Sequence, residues 1–295
     1  MSNNRTITNL ATLLMIGALF ACGGGDAGDA GGEAGATGGD DAASAPVANA
    51  GTIMGVVNFE GMKPANTPID MAEEAECAAV HTSAPMTQRV VGDDGRLGNV
   101  FVRISGAVTG AAGAPSEPVV VDQVGCVYTP HIVGAVVGQG VAFKNSDPVA
   151  HNVQATPELN RPFNISQPTT MTSAPQRFST PEVIPVQCSI HGWMAGFIGV
   201  AEHPYFATSA ADGSFTIPNV PPGTYTLEAW HEHYGMMTQE VTVEPNGTAN
   251  VSFGYSEGMA ANAVVPMGDP IDPHNHTAEE IAAHRAATAT PQSQQ

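Results

Sequence analysis

Between residues 51 and 255 the chain is cut at short intervals by glycine, proline and asparagine, leaving brief runs of β-branched and aromatic residues. No long apolar repeat at helical spacing crosses this region, so only short strands can bury these runs. The runs fall at 52–59, 99–105, 119–123, 137–144, 151–155, 182–187 and 196–201, and then at 214–217, 224–230, 237–243 and 248–253. One or two helical turns fit at 71–80. The expected class is all-β, with antiparallel sandwiches as the architecture. The last four runs make only half a sandwich and need further strands to cover them. The two earliest runs supply them if 106–204 is inserted between 51–105 and 205–255. The other arrangement is two domains in tandem.

The ends of the chain have a different composition. Residues 1–21 read as a signal peptide, with Arg5 ahead of an apolar run too short to span a membrane. That run ends in Leu19-Phe20-Ala21-Cys22, which resembles a bacterial lipoprotein cleavage box with Cys22 as the lipidated residue. The alternative is an ordinary signal peptide cut nearby. Residues 22–50 are Gly, Ala and Asp with almost nothing to bury, a flexible acidic tether. Residues 256–295 read as a tail, with a short helix possible at 277–287. The expected location is the bacterial cell envelope, lipid-anchored on the periplasmic side or at the outer membrane; Gly23 after Cys22 fits outer-membrane sorting.

Charge narrows the partners. Nine Lys and Arg stand against 28 Asp and Glu, a formal net charge of -19. Such a surface repels nucleic acid and anionic lipid, so membrane contact is expected only through lipidated Cys22. It suits a basic protein partner or a salty medium.

The chemistry concentrates in Cys188-Ser-Ile-His191-Gly-Trp-Met194, a C-x2-H-x2-M spacing between two strand runs. A turn this short directs all three side chains toward one point. His151 opens another strand about forty residues upstream, after Asn145-Ser-Asp147-Pro148. Two imidazoles and a thiolate with a weak thioether form a ligand set suited to copper in both oxidation states. Taken singly, each of these residues is more often structural: a buried thiol, a core methionine, a histidine bonded to backbone. Their joint spacing in an exported, strand-rich chain favours ligation. Zinc accepts Cys and His, but methionine is a poor zinc ligand.

The segments 143–153 and 182–200 resemble the cupredoxins, the family of plastocyanin, pseudoazurin and amicyanin, and the compact loop is most similar to that of amicyanin. The resemblance covers about 118–203. It implies a Greek-key sandwich, one type 1 copper on His151, Cys188, His191 and Met194, and electron transfer with a redox protein such as a cytochrome c. It also implies that Asn152 ties the ligand loops together. The wider chain resembles a bacterial group in which a cupredoxin accompanies a carboxypeptidase regulatory-like, or transthyretin-like, segment, sometimes labelled methylamine utilisation protein. Ala211-Asp-Gly-Ser-Phe-Thr-Ile217, Val220-Pro-Pro-Gly-Thr-Tyr225 and Trp230-His-Glu232 carry that likeness. It implies no peptidase, and the chain carries no zinc-peptidase ligand pattern.

With Cys22 lipidated and Cys188 on copper, Cys77 and Cys126 remain, and export favours a disulfide between them; otherwise one of them binds metal. His131 reads as structural. His203, His231 and His233 read as near-surface candidates for a second, weaker metal site, and His274 and His276 in the tail as loose metal collectors. Trp193 either covers the metal loop or belongs to a docking patch. The leading function is a one-electron Cu(II)/Cu(I) carrier. Copper storage or delivery, and a structural surface lipoprotein with a stabilising metal, are the alternatives. An enzyme is not expected, since no nucleophile–base pair, phosphate loop or catalytic zinc motif is present.

Overall fold

The computed structural model describes residues 47–92 and 95–262. Residues 1–21, read above as a signal peptide, Cys22, nearly all of 22–50, read as a tether, and His274, His276 and the 277–287 segment lie outside the described residues. Among the described residues the chain is all-β apart from one five-residue helix and a closing 3-10 turn at Glu257–Asn262. Among the described residues no helix is long and apolar enough to cross a membrane.

In chain order come β1 (Gly51–Glu60), the helix α1 (Ala75–Ala79) and β2 (Phe101–Ile104). Nine strands follow: β3 (Val119–Gln123), β4 (Tyr128–Thr129), β5 (Ile132–Val136), β6 (Gly140–Asn145), β7 (His151–Ala155), β8 (Phe163–Gln167), β9 (Gln176–Arg177), β10 (Glu182–Gln187) and β11 (Ala195–Ala201). The last five are β12 (Phe206–Thr208), β13 (Ser214–Val220), β14 (Gly223–His231), β15 (Gly235–Val243) and β16 (Thr248–Ser256).

The strands build two sandwiches. The flanking one joins the sheet β13-β1-β16 to the sheet β12-β2-β14-β15. The other joins β5-β11-β10-β7-β8 to β4-β3-β6-β9. The chain therefore leaves the flanking sandwich after β2 and re-enters it at β12. β1 is the pivot of this topology: it runs antiparallel to β13 and parallel to β16, bonded on both edges. Its inward residues Ile53, Val57 and Phe59 meet Phe215, Ile217, Val251, Phe253 and Tyr255 at the period of two that a strand imposes. Gly55 is needed within β1, because a Cβ there would lie 2.2 Å from the Phe215 ring.

Three contacts lock the sandwiches together. Phe101, Ile132, Ala201 and Trp230 form a small apolar cluster across the joint. Gly199 of β11 makes room for it, since a Cβ would come within 2.6 Å of the Phe101 ring. Arg103 of β2 donates to the Val200 carbonyl of β11 at 3.1 Å while its Nε donates to Glu228 at 2.9 Å. Burial alone would raise the Glu228 carboxyl, but Ser105 and Arg103 hold it below its ordinary value. Lastly, His131 Nε2 and Glu232 Oε1 stand 2.5 Å apart.

Part of the segment between β1 and β2 leaves the flanking sandwich, while Val90, Leu97 and Val100 stay in its core. Ile69, Met71 and Cys77 join the core of the second sandwich. A disulfide from Cys77 to Cys126 fastens α1 there. This cap lies against the end of the sandwich where β7 begins and the β10–β11 turn lies.

Candidate metal centre

β10 and β11 pair antiparallel from Glu182 with Val200 to Gln187 with Ala195, so residues 188–194 form the connecting turn. Two backbone hydrogen bonds tighten it: Met194 N–H donates to the His191 carbonyl and Cys188 N–H to the Met194 carbonyl, both at 3.0 Å. β10 also pairs with β7, which brings His151 beside the turn. Cys188, His191, Met194 and His151 are 3%, 2%, 1% and 0% exposed.

The donor atoms converge. One nitrogen each from His151 and His191 and the Cys188 sulfur all lie within 4.8 Å of one another. His151 Nδ1 is 2.9 Å from His191 Nδ1, and Cys188 Sγ is 3.8 Å from His191 Nδ1. The Met194 side chain is buried in the same core. Two imidazole nitrogens facing each other at hydrogen-bond distance can share only one proton. The arrangement thus directs two ring nitrogens and a sulfur to a common point, a donor set that fits a soft-to-borderline metal ion.

The surrounding groups hold this set in place. His151 Nε2 is 2.9 Å from Asp147 Oδ2. Asp147 in turn accepts from Gly125 N–H at 2.6 Å and Cys126 N–H at 2.8 Å. Burial alone would raise the Asp147 carboxyl; the His151 bond and these two N–H groups outweigh it and keep it low, hence ionised. The carboxylate fixes the proton on Nε2 and turns Nδ1 toward the cluster, the usual arrangement for a metal-binding histidine. Burial likewise would lower His151, but Asp147 and Cys188 raise it to about 9. Burial would raise the Cys188 thiol, yet bonds from His151, His191 and the Asn152 N–H bring it down to about 5. These contacts favour the thiolate form of Cys188 and the protonated form of His151, so a metal taking either donor competes with protons.

Asn152 ties the two ligand segments. Its Oδ1 accepts from Ser189 N–H at 2.6 Å, its Nδ2 donates to Asn164 Oδ1 at 2.7 Å, and its own N–H donates to Cys188 Sγ at 3.5 Å. Tyr128 Oη donates to the Asn152 carbonyl at 2.7 Å.

Asp147 has a role that reading by residue type missed. Its signal was its place four residues before His151 in the turn leading into β7. The cap gave no signal of its own. Cys77 Sγ lies 3.9 Å from His191 Nε2, and Glu74 Oε2 is also 3.9 Å from that atom. Cys77 and Cys126 form a disulfide. The remaining histidines form no cluster of three or more metal-binding side chains among the described residues. His203 and His231 are buried, not near the surface as the polar look of their neighbours suggested. His203 Nε2 contacts the Gly106 carbonyl at 3.0 Å, and His231 Nδ1 accepts from His233 N–H at 3.1 Å. His131 is held in the joint by Glu232, a structural place.

The chain is thus an all-β protein of two sandwiches, with two histidines and a cysteine clustered at the end of one and a methionine of the same turn buried in that core. Residues 198–255 match the family described as the carboxypeptidase regulatory-like domain, which begins in β11 and covers β12 to β16 except the last residue. No curated protein matches. Among solved structures, a purple cupredoxin from Nitrosopumilus maritimus is similar at 24% identity over 28% of this chain and 98% of that chain, with a TM-score of 0.25. A copper-containing nitrite reductase from Thermus scotoductus SA-01 is similar at 26% identity over 32% of this chain and only 25% of that chain, with a TM-score of 0.28. A mutant amicyanin in the Cu(I) form is similar at 20% identity over 28% of this chain and 82% of that chain, with a TM-score of 0.26.

Proposed function

We propose that this protein carries single electrons on one copper ion held by His151, Cys188, His191 and, more weakly, Met194. The observation that carries this reading is the convergence of two imidazole nitrogens and one sulfur within 4.8 Å, each from a buried side chain. Bound copper would supply the Cu(II)/Cu(I) couple. The chain's contribution is to fix its ligands: Asp147 orients His151, Asn152 holds the 188–189 backbone to β7, and the disulfide-fastened cap excludes water. A site that rearranges little between oxidation states exchanges electrons with a small reorganisation cost, and a hydrogen-bonded, packed ligand shell favours that.

Burial of all four side chains also favours a carrier over a store or delivery protein, whose metal must leave readily. In this reading all four side chains would be taken up by the copper, and an enzymatic role is not proposed. In this reading the protein sits in the cell envelope on a lipid anchor at Cys22, supported by the apolar run and the Leu19-Phe-Ala-Cys22 box. The charge of -19 selects a basic redox partner, such as a cytochrome c, through steering that weakens with salt.

Voltammetry of the copper-loaded soluble form tests the carrier role. A reversible one-electron wave is expected, with copper retained against a chelator in both states. Met194→Gln shifts the potential and keeps the metal. Rapid loss of Cu(I) to the chelator would instead establish delivery.

A further inference from the structure

The cap closes the side of the centre where the His191 ring would otherwise meet a partner. His191 is 2% exposed, and its outward Nε2 faces Cys77 Sγ and Glu74 Oε2, each at 3.9 Å. The other three ligands are no more than 3% exposed. A redox partner therefore cannot touch any ligand side chain, and electron tunnelling decays steeply with the gap that remains.

One aromatic ring bridges that gap. The Trp193 indole lies against His191, with centroids 5.2 Å apart and planes tilted by 37°. Trp193 Nε1 donates to the Cys126 carbonyl at 2.9 Å, which fixes the ring to the disulfide-bearing loop. The indole is half-buried and lines a cavity of about 290 Å³ between the cap, the metal sandwich and the 232–233 turn of the flanking sandwich. Ala65 lies on the cap side of the same cavity, and Glu232 on the flanking side.

We propose that Trp193 is the side chain through which electrons enter and leave the centre, and that the cavity it lines is the port, in place of the edge of His191. This rests on the copper reading above. One electron passes from an outer-sphere donor, which is oxidised by one unit, through the Trp193 and His191 rings to the oxidised centre, which is reduced by one unit. No bond forms or breaks and no proton need move.

Stopped-flow reduction of the Cu(II) protein by hexaammineruthenium(II) tests this. Trp193→Leu lowers the bimolecular rate by roughly a decade or more, within the span over which mutations at one contact surface alter association steps. Trp193→Phe keeps most of the rate. Ala65→Phe adds a ring to the cavity wall without touching a ligand and also lowers the rate, with an unchanged visible spectrum and potential. A second readout needs no metal. The chain has two tryptophans, so in metal-free Trp230→Phe protein the fluorescence reports Trp193 alone. Acrylamide quenches it, and adding Ala65→Phe weakens the quenching. If Trp193→Leu disturbs the copper spectrum, Ala65→Phe decides. Wild-type rates in Ala65→Phe, or in a normally coloured Trp193→Leu, overturn the port. A protein that is colourless with Cu(II) overturns the copper reading itself, which keeps the two failures apart.

Discussion

The second sandwich buries far more polar side chains than the flanking one. At the metal end of the second sandwich, Asp147, His151, Asn152 and Asn145 are buried and bonded to one another, to backbone or to the facing loop. The flanking sandwich is packed by a large apolar cluster. One histidine buried beside it, His231, stacks on Tyr234 with centroids 4.9 Å apart and leaves its Nε2 without a hydrogen-bond partner. A satisfied polar network holds side chains in one geometry, as a metal site needs. An apolar core supplies rigidity and little chemistry. The lesson is a division of labour: the second sandwich arranges donors, while the flanking one, joined through Phe101, Trp230 and Arg103, provides a stiff wall for the cavity beside them.

The sharpest way to break this contrast is the disulfide. Cys77 and Cys126 are separated by 49 residues, and closing such a loop contributes about 4 kcal/mol by chain entropy. The Cys77→Ala, Cys126→Ala double variant should lose about that much in urea unfolding, with hydrogen exchange rising in the cap and at the 188–194 turn. Equal loosening of β1 and β16 would mean that the two sandwiches are one cooperative unit.

A core cavity in the flanking sandwich tests the other side. Leu227 is fully buried, and Leu227→Ala should cost about 2–5 kcal/mol. The copper spectrum should stay as in the wild type. A changed spectrum would show that the wall shapes the centre as well as supporting it.

The smallest effect concerns pH. Burial first, then the nearby His233 and His131, push His231 down to about 3. Unfolded, it titrates near 6.5, so the unfolded chain binds the extra proton first and stability falls as pH drops below that value. The loss from pH 6.5 to 4.5 is about 2–3 kcal/mol and grows until about pH 3. His231→Phe should remove that part of the slope, measured by urea midpoints across the range. An unchanged slope would place the acid sensitivity elsewhere.

Much of the centre was legible because its residues sit in two contiguous motifs, Cys188 to Met194 and His151-Asn152, at strand ends that alternation marks. β1, β3, β7, β10 and β11 fall where their β-branched runs lie. Other elements lack that signal. The run at 137–144 includes a turn at Gly138, whose φ of +84° breaks it before β6. β5 passed unread as a separate strand. β8 exposes one face along an edge, and β12 has three residues, so neither carries an apolar pattern. His231 looked polar in Trp230-His-Glu-His233, yet the period of β14 turns it inward with Leu227 and Ala229 while Trp230 faces the joint. Nothing local tells residues 69–77 to leave β1 and cover the second sandwich; that contact is decided by Ile69, Met71 and the Cys77 pairing, all long-range in sequence.

The most direct test of the metal centre is the absorption and EPR spectrum of the soluble protein loaded with Cu(II). Strong visible absorption from thiolate-to-copper charge transfer is expected, and it should vanish in Cys188→Ser. A colourless Cu(II) form whose spectra are the same in that variant would contradict it.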